Sequence, residues 1–319
     1  MMRTYIGLDI GGTKILGSLY TEDGISLRRV KKKTKASEGI DSVLKQIFKV
    51  IDGLIEDQDE KIELLGIGAG SPGIIKDERL VSFSPNIPFR DFDLGEKIVK
   101  RYNVPFVLGN DVNVAMYGEW KAAHIVDAKN VLGIFVGTGV GGAIIINEKL
   151  YVGKGGAAEF GHMVVNPEGA YCGCGSQGCL EAYASKTGIQ SAIRGQIRKG
   201  RKTVLEEYLK SDGAVIKSSS LKKAYEAEDS LAVEVIDRAV YYLGLAMGTL
   251  LNQFHPDLVI LGGGIMEALG QDLIEGIKTE AKRHVMPGQM DGVVFELSHL
   301  SDDAGIYGAY ELIRDHLTK

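Results

Sequence analysis

All three cysteines of the chain, Cys172, Cys174 and Cys179, fall within eight residues, with His162 ten positions upstream of the first and Glu181 two positions beyond the last. Three thiolates and one imidazole are the four soft or borderline donors that tetrahedral zinc takes. Gly161, Gly169, Gly173, Gly175 and Gly178 let the backbone fold tightly around one ion. The alternative is three unrelated thiols that happen to be neighbours. A disulfide would leave an odd thiol, in a chain with no sign of an oxidising compartment.

Two glycine-rich turns form a second constellation. Phosphate needs converging backbone N–H donors, and glycine lets consecutive peptides turn inward without a side chain in the way. Asp9, beside Gly11, Gly12, Thr13 and Lys14, could hold magnesium through water while the turn amides and Thr13 meet a transferring phosphate. Gly137, Thr138 and Gly139, followed by Val140, Gly141 and Gly142, could grip the remaining phosphates. Gly262, Gly263 and Gly264 offer a surface for an adenosine. Neither turn matches the G-x-x-x-x-G-K-[ST] loop or opens directly into a long helix. Alone, each is equally a ligand-free hairpin; together they lay out an ATP clamp. A kinase acting on an alcohol also needs a carboxylate to orient the hydroxyl and take its proton. Asp111, after Asn110, is the candidate, because it ends a strand and precedes a helix whose N-terminus favours the ionised form. A helix cap is the other reading of Asp111.

The elements that must carry these groups alternate between sheet and helix. Thr4–Tyr20 reads as two strands joined by the first turn, with further strands over Gly24–Lys33, Leu64–Gly70 and Phe106–Leu108. Apolar residues at Ile40, Val43, Leu44, Ile47, Val50, Ile51, Leu54 and Ile55 have helical spacing. Val131–Ile146 is a second strand-turn-strand unit that lies on the first with an offset of 126, so that Gly7 meets Gly133 and Gly11 meets Gly137. This internal repeat predicts two related lobes, with chance likeness between glycine-rich hairpins as its alternative. A long helical face from Leu231 to Phe254 stops at Pro256, the stretch Asp257–Ile265 reads as a buried strand ending in the three glycines, and Asp303–Leu317 as a final helix.

Composition narrows the function classes. With 319 residues, 45% hydrophobic and 25% charged, the chain can bury real cores in about two domains. Asp9 and Lys14 interrupt the apolar N-terminal segment, so neither a secretory signal nor a membrane span is expected there, and the expected location is cytoplasmic. A net charge of -5 argues against nucleic acid as the main partner. The basic run Arg28–Lys35 reads as a solvated edge strand protected by lysines.

Taken together, Asp9-Ile-Gly-Gly-Thr-Lys14, Gly70-Ser-Pro-Gly73, Asn110-Asp111-Val-Asn113, Gly137-Thr-Gly-Val-Gly-Gly142, Glu159-Phe-Gly-His162 and the cysteine segment through Glu181 resemble the ROK family of sugar kinases, most closely its bacterial-type glucokinases. The resemblance implies an α/β, actin-like ATPase (ribonuclease H-like) fold of two α/β lobes around a cleft. Residues 1–118 plus 303–319 would form one lobe and 119–302 the other, with a zinc segment over 162–179. It implies Asp111 as the catalytic base toward the 6-hydroxyl of D-glucose, and Asn86, Asn110, Glu159, His162 and Glu181 as sugar-binding residues. ATP, Mg2+ and structural Zn2+ held by His162, Cys172, Cys174 and Cys179 are implied with it, as is a homo-oligomer, dimer or tetramer. One ring nitrogen of His162 would take zinc and the other would face a sugar hydroxyl.

The segment Ser84–Phe92 departs from the family's glucokinases in being shorter and lacking a tryptophan after proline, so kinases for fructose, mannose, allose or an N-acetylhexosamine are the alternatives. Family repressors carry a helix-turn-helix domain ahead of the Asp-x-Gly-Gly-Thr motif. Here eight residues precede Asp9 and read as a strand, so a repressor is not expected. A catalytically idle sugar sensor and a zinc-dependent interaction module are the remaining readings. Asp9, Asp111 and both turns speak against the first, and the acidic balance against the second.

Overall fold

The structure is a computed structural model that describes residues 1–56, 62–123, 127–209 and 214–318. The chain forms two compact units, Met1–Val126 with Leu150–Ala157 and Leu300–Lys319, and Asp127–Lys149 with Ala158–His299.

The first unit begins with β1 (Met2–Ile10), β2 (Lys14–Thr21), β3 (Ser26–Lys33) and helix α1 (Ile40–Ile55). It continues with β4 (Ile62–Ser71), a small antiparallel sheet of β5 (Ile74–Lys76), β6 (Leu80–Phe83) and β7 (Arg90–Asp93), helix α2 (Leu94–Tyr102), β8 (Phe106–Asn110) and helix α3 (Asp111–Ala122). The main sheet runs β3-β2-β1-β4-β8, antiparallel up to β1 and parallel from β1 to β8. Val43, Ile47, Val50, Ile51 and Leu54 of α1 are buried with Ile6, Leu8, Ile10 and Ile67 of the sheet. That stripe is the helical spacing of the sequence turned into a core. Strand β3 is an edge, and Lys31, Lys32 and Lys33 on it are exposed, as the basic run implied.

The second unit holds β9 (Val131–Val136), β10 (Val140–Ile146) and β11 (Lys149–Leu150), a loop carrying the cysteines, helices α4 (Glu181–Ala184), α5 (Lys186–Arg198), α6 (Ser218–Glu226) and α7 (Ser230–Phe254), then β12 (Leu258–Gly262), α8 (Gly264–Lys282) and β13 (Val294–Leu297). Its sheet order, β11-β10-β9-β12-β13, repeats the pattern of the first sheet, with β9, β12 and β13 parallel. The offset of 126 relates the two hairpins, while the likeness of strand order extends to the whole sheets, whose later strands follow at larger offsets. The registers nevertheless differ by one: Ile10 pairs with Ile15, whereas Val136 pairs with Val140. The first turn closes through Gly11 N to Lys14 O and the second through Gly137 N to Gly139 O, one residue tighter.

The last helix, α9 (Ala304–Thr318), belongs to the first unit and lies against β1 and β4. Glycine makes this approach possible: a Cβ on Gly7 would overlap the carbonyl of Ile306, and one on Gly68 the carbonyl of Ala309. Tyr5, Tyr20 and Tyr310 close the small core beside this contact. The units part at 126 rather than at the expected 118, because α3 continues unbroken to Ala122, and Leu150–Ala157 groups with the first unit. The stretch read as a strand to Ile265 stops at Gly262, with Gly264 already opening α8. Among the described residues, no helix is long and apolar enough to cross a membrane.

Candidate active site

In the first unit, β1 delivers Asp9 to the start of the turn. Burial, with the charge of Asp111 adding to it and that of Lys14 opposing it, raises the Asp9 carboxyl to about 6. A carboxylate held in this way is short of positive charge, and a divalent cation would relieve it, so the donor chemistry fits magnesium. Gly305, in the first turn of α9, sits against Asp9, its Cβ position 3.2 Å from the Asp9 Cγ. Lys14 pairs with Asp302, Nζ to Oδ1 at 3.1 Å.

The turn is braced from below by buried Thr34. Its Oγ1 donates to the Gly11 carbonyl at 2.5 Å and its N–H to the Thr13 carbonyl at 3.0 Å. With the carbonyls pinned, the amides of Gly12 and Thr13 have no acceptor among the described residues. Asn86 lies against the same turn: a Cβ on Gly12 would come 2.8 Å from the Asn86 Cβ and 2.9 Å from its carbonyl oxygen.

Asn110 and Asp111 stand where β8 meets α3. Sequence offered Asp111 as the helix cap, but the structure gives that role to Asn110. Its Oδ1 accepts from the amides of Val112 at 3.0 Å and Asn113 at 3.2 Å. Its Nδ2 donates to the Gly73 carbonyl at 3.1 Å, which fixes the amide and leaves one N–H for another acceptor. Asp111 is thereby the first residue of the helix, with Oδ1 also accepting from Val112 N at 3.0 Å.

In the second unit the four expected ligands converge. The donor atoms of His162, Cys172, Cys174 and Cys179 all lie within 4.8 Å of one another. His162 Nδ1 is 3.7 Å from Cys172 Sγ, and Cys174 Sγ is 3.8 Å from Cys179 Sγ. A tetrahedron with zinc–sulfur bonds of about 2.3 Å has edges of about 3.8 Å, so spacing and donor set both fit zinc. Nδ1 is the nitrogen turned to the thiols, and Nε2 is the one left for a second partner. Burial pushes the Cys179 thiol up to about 12, which a bound metal would reverse by taking the thiolate.

The cysteine loop and the second turn meet at Val140. Gly161 has no room for a Cβ beside the Val140 carbonyl. Glu181 Oε2 accepts from Val140 N at 2.9 Å, while its Oε1 is 3.7 Å from Cys172 Sγ. On the other side, the first amides of α5 hold the turn, Lys186 N to Gly137 O at 2.9 Å and Thr187 N to Thr138 O at 3.4 Å, with Thr187 Oγ1 donating to Thr138 O at 2.8 Å. The amides of Thr138 and Gly139 have no acceptor among the described residues. Glu159 precedes the single turn Phe160–His162 and is exposed.

Gly262 and Gly263 are required first by the fold. A Cβ on Gly262 would crowd Phe135 and Ser298, and Gly263 takes the left-handed φ of 84° against the backbone of Val136. Gly264 is the more open, with Ser218 Oγ 3.6 Å from its Cβ position. Asp9, Gly11, Gly12, Thr13, Lys14, Asn86, Asn110 and Asp111 thus assemble in the first unit, and Gly137, Thr138, Gly139, Glu159, His162, Glu181, the cysteines and Gly262–Gly264 in the second. Sequence reading missed Thr34, hidden in a run that reads as charged surface. It also missed the Gly73 carbonyl and Tyr183, whose hydroxyl accepts from Ala170 N at 2.6 Å and so ties the metal loop to α4.

The sequence profile of the ROK family matches residues 5–316. A glucokinase of Halalkalibacterium halodurans is 35% identical over 317 residues, spanning 98% of this chain and 95% of its own length. A glucokinase of Thermotoga maritima is 34% identical over 316 residues, spanning 98% of each. Among solved structures, a ROK family glucokinase from Streptomyces griseus, in complex with glucose and AMPPNP, matches at a TM-score of 0.77 and 31% identity, covering 97% of this chain and 98% of its own.

Proposed function

This chain belongs to the ROK family, and from that premise we propose that it is an ATP-dependent hexokinase, a glucokinase that phosphorylates the 6-hydroxyl of D-glucose. The observation that carries the chemistry is Asp111 at the first position of α3, behind an asparagine that takes over the capping. Placed at the positive end of the helix, which favours a carboxylate, Asp111 accepts the proton of the 6-hydroxyl as O6 attacks the γ-phosphorus and ADP departs.

Asp9 would hold magnesium, which when bound would supply charge neutralisation at the phosphate oxygens. The amides of Gly12 and Thr13 and those of Thr138 and Gly139 receive phosphate oxygens, with Gly11, Gly137 and Lys14 shaping the two turns. Gly262, Gly263 and Gly264 turn the chain from β12 into α8, and the more open Gly264 is where the adenosine approaches. Asn86, the remaining N–H of Asn110, Glu159, His162 Nε2 and Glu181 bind sugar hydroxyls. His162 Nδ1, Cys172, Cys174 and Cys179 would hold zinc, which would fix the ring that makes one of these contacts. We place the reaction in the cytoplasm, where ATP is supplied and thiolate ligands stay reduced.

A coupled ADP-release assay with magnesium and ATP over glucose, mannose, fructose, allose and the N-acetylhexosamines tests the reading. Glucose is expected to give the highest kcat/KM. Failure of every hexose would remove the kinase assignment, and a higher kcat/KM for another sugar would reassign the substrate.

A further inference from the structure

We propose that Lys33 and Lys31 of the edge strand β3 are further phosphate-binding residues, which extend the first glycine turn and, on the reading of that turn as a phosphate site, take the phosphate chain of the nucleotide donor.

Register places them. Across the ladder between β2 and β3, Lys14 stands opposite Lys33, Leu16 opposite Lys31 and Ser18 opposite Arg29. Leu16 in turn stands opposite Asp9 of β1. Ladder partners share a face and successive residues alternate, so Lys33, Lys31 and Arg29 lie on the face of the sheet that carries Asp9 and Lys14. Lys32, opposite Ile15, lies on the other face, where Ile15 is buried with α1. The residue after Lys33 is pinned to the turn, because Thr34 N donates to the Thr13 carbonyl at 3.0 Å. Lys33 is thereby fixed beside the turn whose Gly12 and Thr13 amides have no acceptor among the described residues.

Charge then divides the row. Asp302 takes Lys14 Nζ at 3.1 Å and Asp303 takes Arg29 Nη2 at 2.6 Å, both from the segment that leads into α9. Lys31 and Lys33 are exposed and have no ion pair or side-chain hydrogen bond among the described residues. Protection of an edge strand needs charge but no particular face. Two ammonium groups directly opposite one another, Lys14 and Lys33, destabilise a bare hairpin, and an anion bound beside them offsets that cost. A phosphate chain supplies the anion: the turn amides donate to one phosphate, and the two lysines serve as point charges for oxygens further along.

Isothermal titration calorimetry with inorganic tripolyphosphate, which carries no adenosine, and with a non-hydrolysable ATP analogue tests the assignment. At ~0.1 M salt, where charges act over about 10 Å, Lys33→Gln is expected to weaken both ligands about three- to tenfold and Lys31→Gln by a smaller factor. Lys32→Gln loses the same charge from the other face and is expected to leave both affinities unchanged. Glucose affinity should be level in all three variants, and the melting temperature of Lys33→Gln level or raised, since the like-charge pair is gone. Unchanged binding in Lys33→Gln, or equal losses in Lys32→Gln and Lys33→Gln, would overturn the assignment while the turn still binds phosphate. A wild-type chain that binds neither ligand would overturn the phosphate reading of the turn together with it.

Discussion

Gly139 sits in a phosphate turn, yet its replacement by alanine is expected to injure the sugar step. The backbone there is outside the left-handed region, so alanine meets no conformational barrier. What it meets is a side chain: the new Cβ would overlap Glu181 Oε2 and come 3.3 Å from its Cδ. Because the obstacle is the far end of a flexible side chain, the carboxylate swings aside and the fold survives. Its bond to Val140 N, 2.9 Å long, is lost. A hydrogen bond to a charged acceptor contributes about 1.5–3 kcal/mol, and the same displacement moves the carboxylate from its place before the sugar. At 1.4 kcal/mol per tenfold, that is roughly a 10- to 150-fold rise in KM for glucose. KM for ATP should rise by less, since the amides of Thr138 and Gly139 remain in place. Steady-state kinetics with each substrate varied separate the two, and Glu181→Asp in the Gly139→Ala background, shortening the displaced side chain, should recover part of the glucose affinity. A rise in KM for ATP with glucose unaffected would refute the reasoning, because the turn would then act only through phosphate.

Asp111→Ala should lower kcat by about 10²–10⁴ while glucose binding, followed by calorimetry, persists; a normal kcat would exclude Asp111 as the base. One zinc per chain is expected by elemental analysis, and its removal by chelation, or His162→Ala, should weaken glucose binding more than ATP binding, with equal losses meaning that the metal supports only the fold. Gly68→Ala drives a methyl into the Ala309 carbonyl and should lower the melting temperature by roughly 5–10 °C in a thermal scan, whereas Gly195→Ala on α5, where nothing lies within 4 Å, should leave it level or raise it.

Much of this was legible in the chain because the relevant physics is local. The spacing Ile40 to Ile55 fixed α1 to the residue, and the glycine pattern at an offset of 126 located the start of both sheets. The cluster of His162, Cys172, Cys174 and Cys179 was legible because four soft donors crowd into a short segment, and donor chemistry needs no register to be read. What escaped depends on partners far along the chain. Gly7 and Gly68 look like any strand glycines until α9, more than two hundred residues later, is set against them. Thr34 looks like surface until its hydroxyl is found under Gly11. Asn110 and Asp111 are both good caps, so sequence could not apportion the roles between neighbours. Only the 3.0 and 3.2 Å bonds from Asn110 Oδ1 do so.

Val140 links the cysteine loop to the second glycine turn, and on the proposed reading this lets the zinc and phosphate sites share one scaffold and still fail separately. Its N–H binds Glu181 and its carbonyl abuts Gly161, so the sugar-facing loop is referenced to the first residue after the phosphate turn. The turn itself has other restraints. Gly137 N closes on Gly139 O, and α5 supplies Lys186 N, Thr187 N and Thr187 Oγ1 to the carbonyls of Gly137 and Thr138. Losing the metal frees the His162 ring and can release the single bond at Glu181, but it leaves those four contacts intact. With each neutral hydrogen bond contributing about 1 kcal/mol, the turn keeps most of what holds it while the sugar wall loses its main support. The expected asymmetry between glucose and ATP affinity on zinc removal follows from that count of restraints.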